Sequence, residues 1–399
     1  MLMNKQNKWS FLFFALGVAG EGISGGDRIF IEFARRWSTK HRIKIFTSSE
    51  GTRLCQTQEI PQSIVLSSLN NSQLESFFVL NWLYKVIAGI VLGLTLSLSQ
   101  KETYLYSASE FWMDSLPAFI LKLRFPKAEW IAAWYQTAPN PLKGYTEGGR
   151  QEVYRFASLL YWFVQLPIKP LISKFADYVL VNNEEEKKRF FRLDRLGRVL
   201  VVLGAVDLEK IRRWKKIKAK TQKVFDAVFQ GRFHPQKGVT ELIEVWKKVV
   251  DKKPEAKLAM IGDGPLMEKV KALIYKYKLE ENIELFGYLF DGPEKYKIFS
   301  QSKIAVHPSL YDSGGMAAAE AMAFGLPAVG FNLKAFKSYY PKGMDKVEIG
   351  DLDAFAGKIL QLLRDNHLRD RVAREAMEMI KDNWSWEIRA RETLSQIDS

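Results

Sequence analysis

The chain predicts a parallel α/β protein built from two doubly wound domains. Three observations carry this. Its 399 residues exceed one ordinary domain. Short β-branched or aromatic runs alternate with longer helical runs. Glycine-bearing turns follow several of the short runs, where a strand of a parallel sheet hands over to a helix.

In the first half, strands are expected near 11–17, 43–47, 103–107, 129–134 and 178–182. Helices are expected near 26–38, 73–98, 112–123, 151–173 and 184–192. The run WSFLFFALGVAG at 9–20 follows Lys5 and Lys8 and mimics a signal peptide. It is short and leads straight into a glycine loop and a helix, so it reads as a buried first strand. Residues 77–98 are mostly apolar but contain Asn81 and Lys85. A spanning helix usually lacks a charge so near its middle. The reading is a helix packed on a sheet with one face on lipid, with a transmembrane helix as the alternative.

In the second half, strands fit 199–203, 225–229, 257–261, 283–286, 303–306 and 327–331. Helices fit 237–250, 265–277, 293–300, 315–324, 351–365 and 367–382. The joint falls near 198–222, where a strand gives way to a basic polar stretch. The first domain is therefore set at 1–200 and the second at 201–382. The amphipathic segment 383–399 is expected to pack back on the first. Two such sheets facing each other would place ligands in a cleft outside the carboxyl ends of their strands.

The net charge of +14 is spread over both halves, with 25 basic and 17 acidic residues in 1–200 and 34 and 28 in 201–399. Such an excess suits a polyanionic partner or simply a basic surface. Clusters such as Phe77-Phe78 and Tyr161-Trp162-Phe163 add aromatics, which favours an anionic membrane surface. The cations are dispersed and no binding motif stands out, so nucleic acid is not expected. A lone cysteine, Cys55, excludes an internal disulfide and fits a reducing, cytoplasmic setting. Four histidines and one cysteine form no cluster with ligand spacing, so no metal is expected.

The stretch HPSLYDSGGMAAAEAMAFGLPAVG at 307–330 carries the most chemistry. A strand-like run ends at His307-Pro308. A loop follows with Asp312, Ser313, Gly314 and Gly315, then a helix bearing Glu320. Glycines admit close backbone approach, and the first helical turn, at Met316, offers N–H groups to phosphate. The two acids suit sugar hydroxyls, so the combination points to a nucleotide-sugar site. In QGRFHPQKG at 230–238, Gly231 frees the chain after a strand, and Arg232 and Lys237 can meet a pyrophosphate. Gly262 in MIGDGP and Gly287 in LFGYLF sit on strand-to-helix turns at the ligand rim, or simply make turns. Gly25 and Gly26 precede the first helix and can meet a phosphate or make a tight turn. The long loop after 129–134 offers Tyr135 and Gln136 to an acceptor, or is structural.

Together these residues resemble the GT4 family, the glycosyl transferases group 1 of GT-B fold. QGRFHPQKG resembles the family's G-R-x4-K element, IGDGP its G-x-G-P turn, and the 307–330 stretch its E-x7-E element. ISGGDRIFIEFARRW at 23–37 and LGAVD at 203–207 resemble its first glycine loop and its G-V-D element. The resemblance implies a retaining, metal-independent hexosyltransferase without a cofactor. Arg232 and Lys237 would bind the donor diphosphate of a UDP- or GDP-sugar, and Glu320 the ribose. Asp312 would meet the donor sugar, near the Gly314, Gly315 and Met316 amides, with Gly25 and Gly26 closing on the phosphates. The acceptor would be a sugar or lipid-linked sugar, in glycolipid, lipopolysaccharide or polysaccharide synthesis on the inner membrane face. Two departures stand out: Asp312 replaces the family's usual Glu, and WYQTAP lacks the histidine often found there, so no catalytic base is named. The alternatives are a non-catalytic basic module binding membrane or nucleic acid, or another GT-B enzyme such as an epimerase or phosphorylase.

Overall fold

The computed structural model describes residues 10–19, 22–98, 103–142, 155–217, 222–312 and 314–398. Two compact units emerge. The first comprises Met1–Ala138, Leu159–Gly204 and Trp386–Ser399; the second comprises Pro139–Ser158 and Ala205–Ser385.

The first unit holds seven parallel strands: β1 (Ser10–Ala15), β2 (Arg42–Thr47), β3 (Val65–Ser68), β4 (Thr103–Ser107), β5 (Glu129–Trp134), β6 (Tyr178–Val181) and β7 (Val199–Val201). Their order is β3-β2-β1-β4-β5-β6-β7. Phe11, Phe13, Phe14 and Ala15 of β1 are all fully buried, because a central strand of a parallel sheet is covered on both faces. The 9–20 run thus forms a core strand from Ser10 on. The 199–203 strand, expected to open the second half, instead closes this sheet, with Val179 opposite Val199. The closing helix Trp386–Ile397 packs on the helix Gly25–Trp37: Trp37 Nε1 donates to Ala390 O at 2.9 Å.

The second unit holds β8 (Phe225–Gln230), β9 (Leu258–Ile261), β10 (Ile283–Leu285), β11 (Ser302–His307), β12 (Ala328–Phe331) and β13 (Met344–Val347), in the order β10-β9-β8-β11-β12-β13. Its core joins Phe229, Trp246, Met260, Val306 and Phe355. The sequence missed the edge strands β3 and β13, which are half-exposed and carry polar residues. It also merged the helices Arg155–Gln165 and Ile168–Phe175, which separate around Leu166-Pro167, since proline disfavours helical geometry in the residue before it.

In each sheet the order reverses direction beside the first strand, between β1 and β4 and between β8 and β11. Ligands of such sheets bind outside the strand ends at that switch point. In the first unit Asp114 ties the two switch-point loops together, accepting from Gly17 N at 2.9 Å and Ser109 Oγ at 2.5 Å. Burial raises its carboxyl to about 7, against the lowering effect of those bonds. The folded state therefore binds this proton more tightly than the unfolded chain does. The contribution is complete below the unfolded value of 3.8 and is lost as pH rises through about 7. Asp114→Asn should flatten that fall, measured by denaturant unfolding near pH 5 and near pH 8. An unchanged pH dependence would refute the assignment.

Candidate functional site

The loops after β8 and β11 form one interlocked structure in the second unit. Gly238 has φ +62, and a Cβ there would lie 2.0 Å from Pro308 O, so only glycine lets the two loops touch. Leu310 N donates to Gln236 O at 2.8 Å. The β8 loop is also strapped to the loop after β9: Gly231 N donates to Ile261 O at 3.0 Å and Phe233 N to Asp263 O at 2.8 Å. Fully buried Phe233 anchors the loop and leaves the Arg232 side chain exposed, with no polar partner among the described residues.

Lys237, on a short 3₁₀ turn, forms an ion pair with Asp312. Asp312 spends both oxygens inside the protein. Oδ1 accepts from the amides of Gly314 at 3.2 Å and Gly315 at 3.1 Å. Oδ2 meets Lys237, Ser309 Oγ at 3.2 Å and His307 Nε2 at 3.5 Å. Burial pushes the Asp312 carboxyl up, but Lys237 and His307 outweigh it and hold the carboxyl well below its ordinary value. Burial lowers the His307 imidazole, against the raising effect of Asp312.

Asp312, expected to meet the donor sugar with the Gly314 and Gly315 amides nearby, does lie beside those amides. Here those groups satisfy one another, and Asp312 holds Lys237 in place. Met316 opens the helix Met316–Ala323, and its amide takes no acceptor among the described residues. Ser313 lies outside the described residues. Tyr340, stacked on Trp384 with centroids 5.4 Å apart, donates to Gly315 O and fixes its φ of +62.

Glu320 lies on the second turn of that helix. Its Oε2 accepts from Lys295 Nζ at 2.8 Å, and Lys295 also pairs with Asp291. Lys295 is only 2% exposed. Near the end of β8, Gln230 Oε1 is buried with no hydrogen-bond partner among the described residues and lines a recess with His307, Ala317 and Ala318.

The other glycines divide. A Cβ on Gly262 would strike Gly231 O at 1.9 Å, so its need for glycine is met by packing within the protein. Gly287, at φ +65, faces open space. In the first unit, Gly25 and Gly26 open the helix Gly25–Trp37 behind a capping box of Ser24 and Asp27. Asp27 N donates to Ser24 Oγ at 3.1 Å. Gly26 lies against the Tyr135 ring, and Tyr135 OH pairs with Tyr106 OH at 2.8 Å. Gln136 O accepts from Gln165 Nε2 at 2.7 Å, while Gln136 Nε2 is buried with no hydrogen-bond partner among the described residues. Nearby, burial pushes Glu110 up to about 6 despite its bond from Tyr161 OH. The sequence reading missed Lys295 and Tyr340, which lie in no glycine turn, the signal it followed, and Ser309, which lies in the glycine-bearing loop but was passed over for Asp312.

Two parallel sheets with ligand-type loops at their switch points define an α/β protein of GT-B type. A variant of Staphylococcus aureus TarM, solved with UDP, alpha-GlcNAc-glycerol and fondaparinux, matches with TM-score 0.72 at 14% identity over 99% of this chain and 100% of its own. Anabaena HepE, solved with UDP and glucose, matches with TM-score 0.69 at 13% identity over 98% and 99%. Residues 210–379 match the family Glycosyl transferases group 1. A glycosyltransferase of Methanocaldococcus jannaschii is 28% identical over 70% of both chains. A second from that archaeon is 27% identical over 49% of this chain and 47% of its own, so the chain spans about half its length. The S. aureus poly(ribitol-phosphate) alpha-N-acetylglucosaminyltransferase is 31% identical over 39% of this chain and 32% of its own.

Proposed function

We propose that the protein transfers a hexose from a UDP- or GDP-linked sugar to a hydroxyl of a sugar or lipid-linked acceptor. The anomeric configuration is retained and no metal ion takes part. The acceptor oxygen bonds to the anomeric carbon as the bond to the diphosphate breaks, and the acceptor's proton passes to the departing phosphate oxygen. The carrying observation is the cation pair on the β8 loop. Lys237 is braced by Asp312 beside a helix start, and the exposed Arg232 guanidinium is available to a diphosphate. Glu320 keeps Oε1 for ribose hydroxyls while Lys295 holds Oε2. The family match over 210–379 and the UDP in the HepE and TarM structures support the donor class. The reaction belongs to glycolipid, lipopolysaccharide or polysaccharide synthesis on the cytoplasmic membrane face.

Thermal unfolding with UDP, GDP and their sugars tests the donor site. One nucleotide should raise the melting temperature by about 5 °C at saturation, with or without EDTA. Absence of any shift would refute the site, and loss of the shift in EDTA would refute metal independence. Proton NMR of the first-formed product tests retention; an inverted anomer would overturn it.

A further inference from the structure

The helix Phe78–Thr95 of the first unit is inside out. Its five buried residues include Asn81 and Lys85, with Val86, Gly89 and Gly93. Leu80, Leu83, Ile87, Val91 and Leu94, spaced three and four apart along one face, are exposed. The inward polar groups are satisfied. Lys85 Nζ donates to Glu50 Oε1 and to Val18 O, both at 2.9 Å. Asn81 Nδ2 donates to Glu50 Oε1 at 3.0 Å, and Asn81 Oδ1 accepts from Asn71 at 2.9 Å. A Cβ on Gly89 would lie 2.8 Å from Met113 O, so this helix sits directly on the helix Trp112–Arg124. Arg124 then closes its end, donating to Gly93 O and Leu96 O at 2.7 and 2.8 Å. A helix fastened by a buried ion pair and close backbone packing stays on its domain rather than crossing a bilayer alone.

The apolar surface continues beyond this helix. Trp82 packs on Trp112 with centroids 5.3 Å apart, and Trp112 Nε1 donates to Val164 O at 2.6 Å. Val164 lies on the helix Arg155–Gln165, where Leu159, Leu160, Trp162 and Phe163 are exposed. These three helices and Ile168–Phe175 contain a single acid, Asp114, and it is buried. Arg124 and Lys174 on them are exposed cations. The surface is thus apolar, with cations and no exposed carboxylate. A second copy of a +14 chain would bring the same sign of charge, whereas an anionic bilayer brings the opposite.

We infer that this face seats on an anionic bilayer, with the helix Phe78–Thr95 lying in the membrane plane and its Leu83–Leu94 row entering the acyl boundary. This gives the membrane setting of the proposed function a definite surface. Its test needs no turnover, so either reading can fail alone. Flotation of the full chain should show binding to phosphatidylcholine vesicles containing phosphatidylglycerol, weaker binding to phosphatidylcholine alone, and retention in about 0.5 M salt. Ile87→Glu with Val91→Glu, at positions 60% and 50% exposed, should reduce binding at least about tenfold with an unchanged melting temperature. Several results would overturn the inference: no binding to either vesicle, complete release by salt, or undiminished binding of the double variant. A dimer of the free protein that this variant abolishes, without vesicle binding, would assign the face to a second copy instead.

Discussion

Lys237→Ala is expected to lower turnover by roughly 10²–10³-fold and to cost about 3–5 kcal/mol of stability. The two effects have one origin. Lys237 is 16% exposed and Asp312 7%, so the pair is largely shielded from water. Without the ammonium, Asp312 keeps its bonds from Ser309, Gly314 and Gly315 but loses the cation that holds its carboxyl low. A charge buried without its counterion is the costly case, more so than the absence of both. Arg232→Ala serves as the contrast. Its guanidinium is exposed and has no polar partner among the described residues, so stability should barely change while nucleotide affinity falls. A cycle through Lys237→Met and Asp312→Asn isolates the pair, and the double variant should regain part of the stability lost by Lys237→Met alone. If Lys237→Ala unfolds like the parent and binds nucleotide equally well, the pair has neither role.

That contrast shows where the sequence was legible. The place of Arg232 and Lys237 on the loop after β8 could be read from the strand-like run before them, and parallel α/β sheets put ligand loops at strand ends. Central strands such as β1 and β5 were equally plain: covered on both faces, they read as continuous apolar runs. β3 and β13 were not, since an edge strand needs no such run. Ser67 and Ser68, or Asp345 and Lys346, look like loop. The site's internal bonding was hidden for another reason. Nothing in D-S-G-G says that Asp312 turns back to its own following amides instead of outward. The pattern of 77–98 showed Asn81 and Lys85 in an apolar helix but could not show that they face inward to Glu50. Partners distant in sequence decide such orientations.

Lys295 is the furthest from sequence logic and gives the second large expectation. Lys295→Met should cost about 3–5 kcal/mol and raise the donor KM more than it lowers kcat. Its ammonium, 2% exposed, bridges Asp291 and Glu320, which are 16% and 12% exposed. The substitution removes one cation from between two acids, leaving like charges in a poorly hydrated space. Glu320 would then turn toward water, away from the position in which Oε1 would meet the ribose of the proposed donor. Ribose contacts are made in ground and transition states alike, so their loss appears in KM. Lys295→Arg keeps the charge with a longer planar head and should recover much of the stability. Equal losses for Met and Arg would mean that packing, not charge, holds the site. Lost stability with unchanged donor KM would make Lys295 a structural ion only and leave Glu320 oriented by its helix.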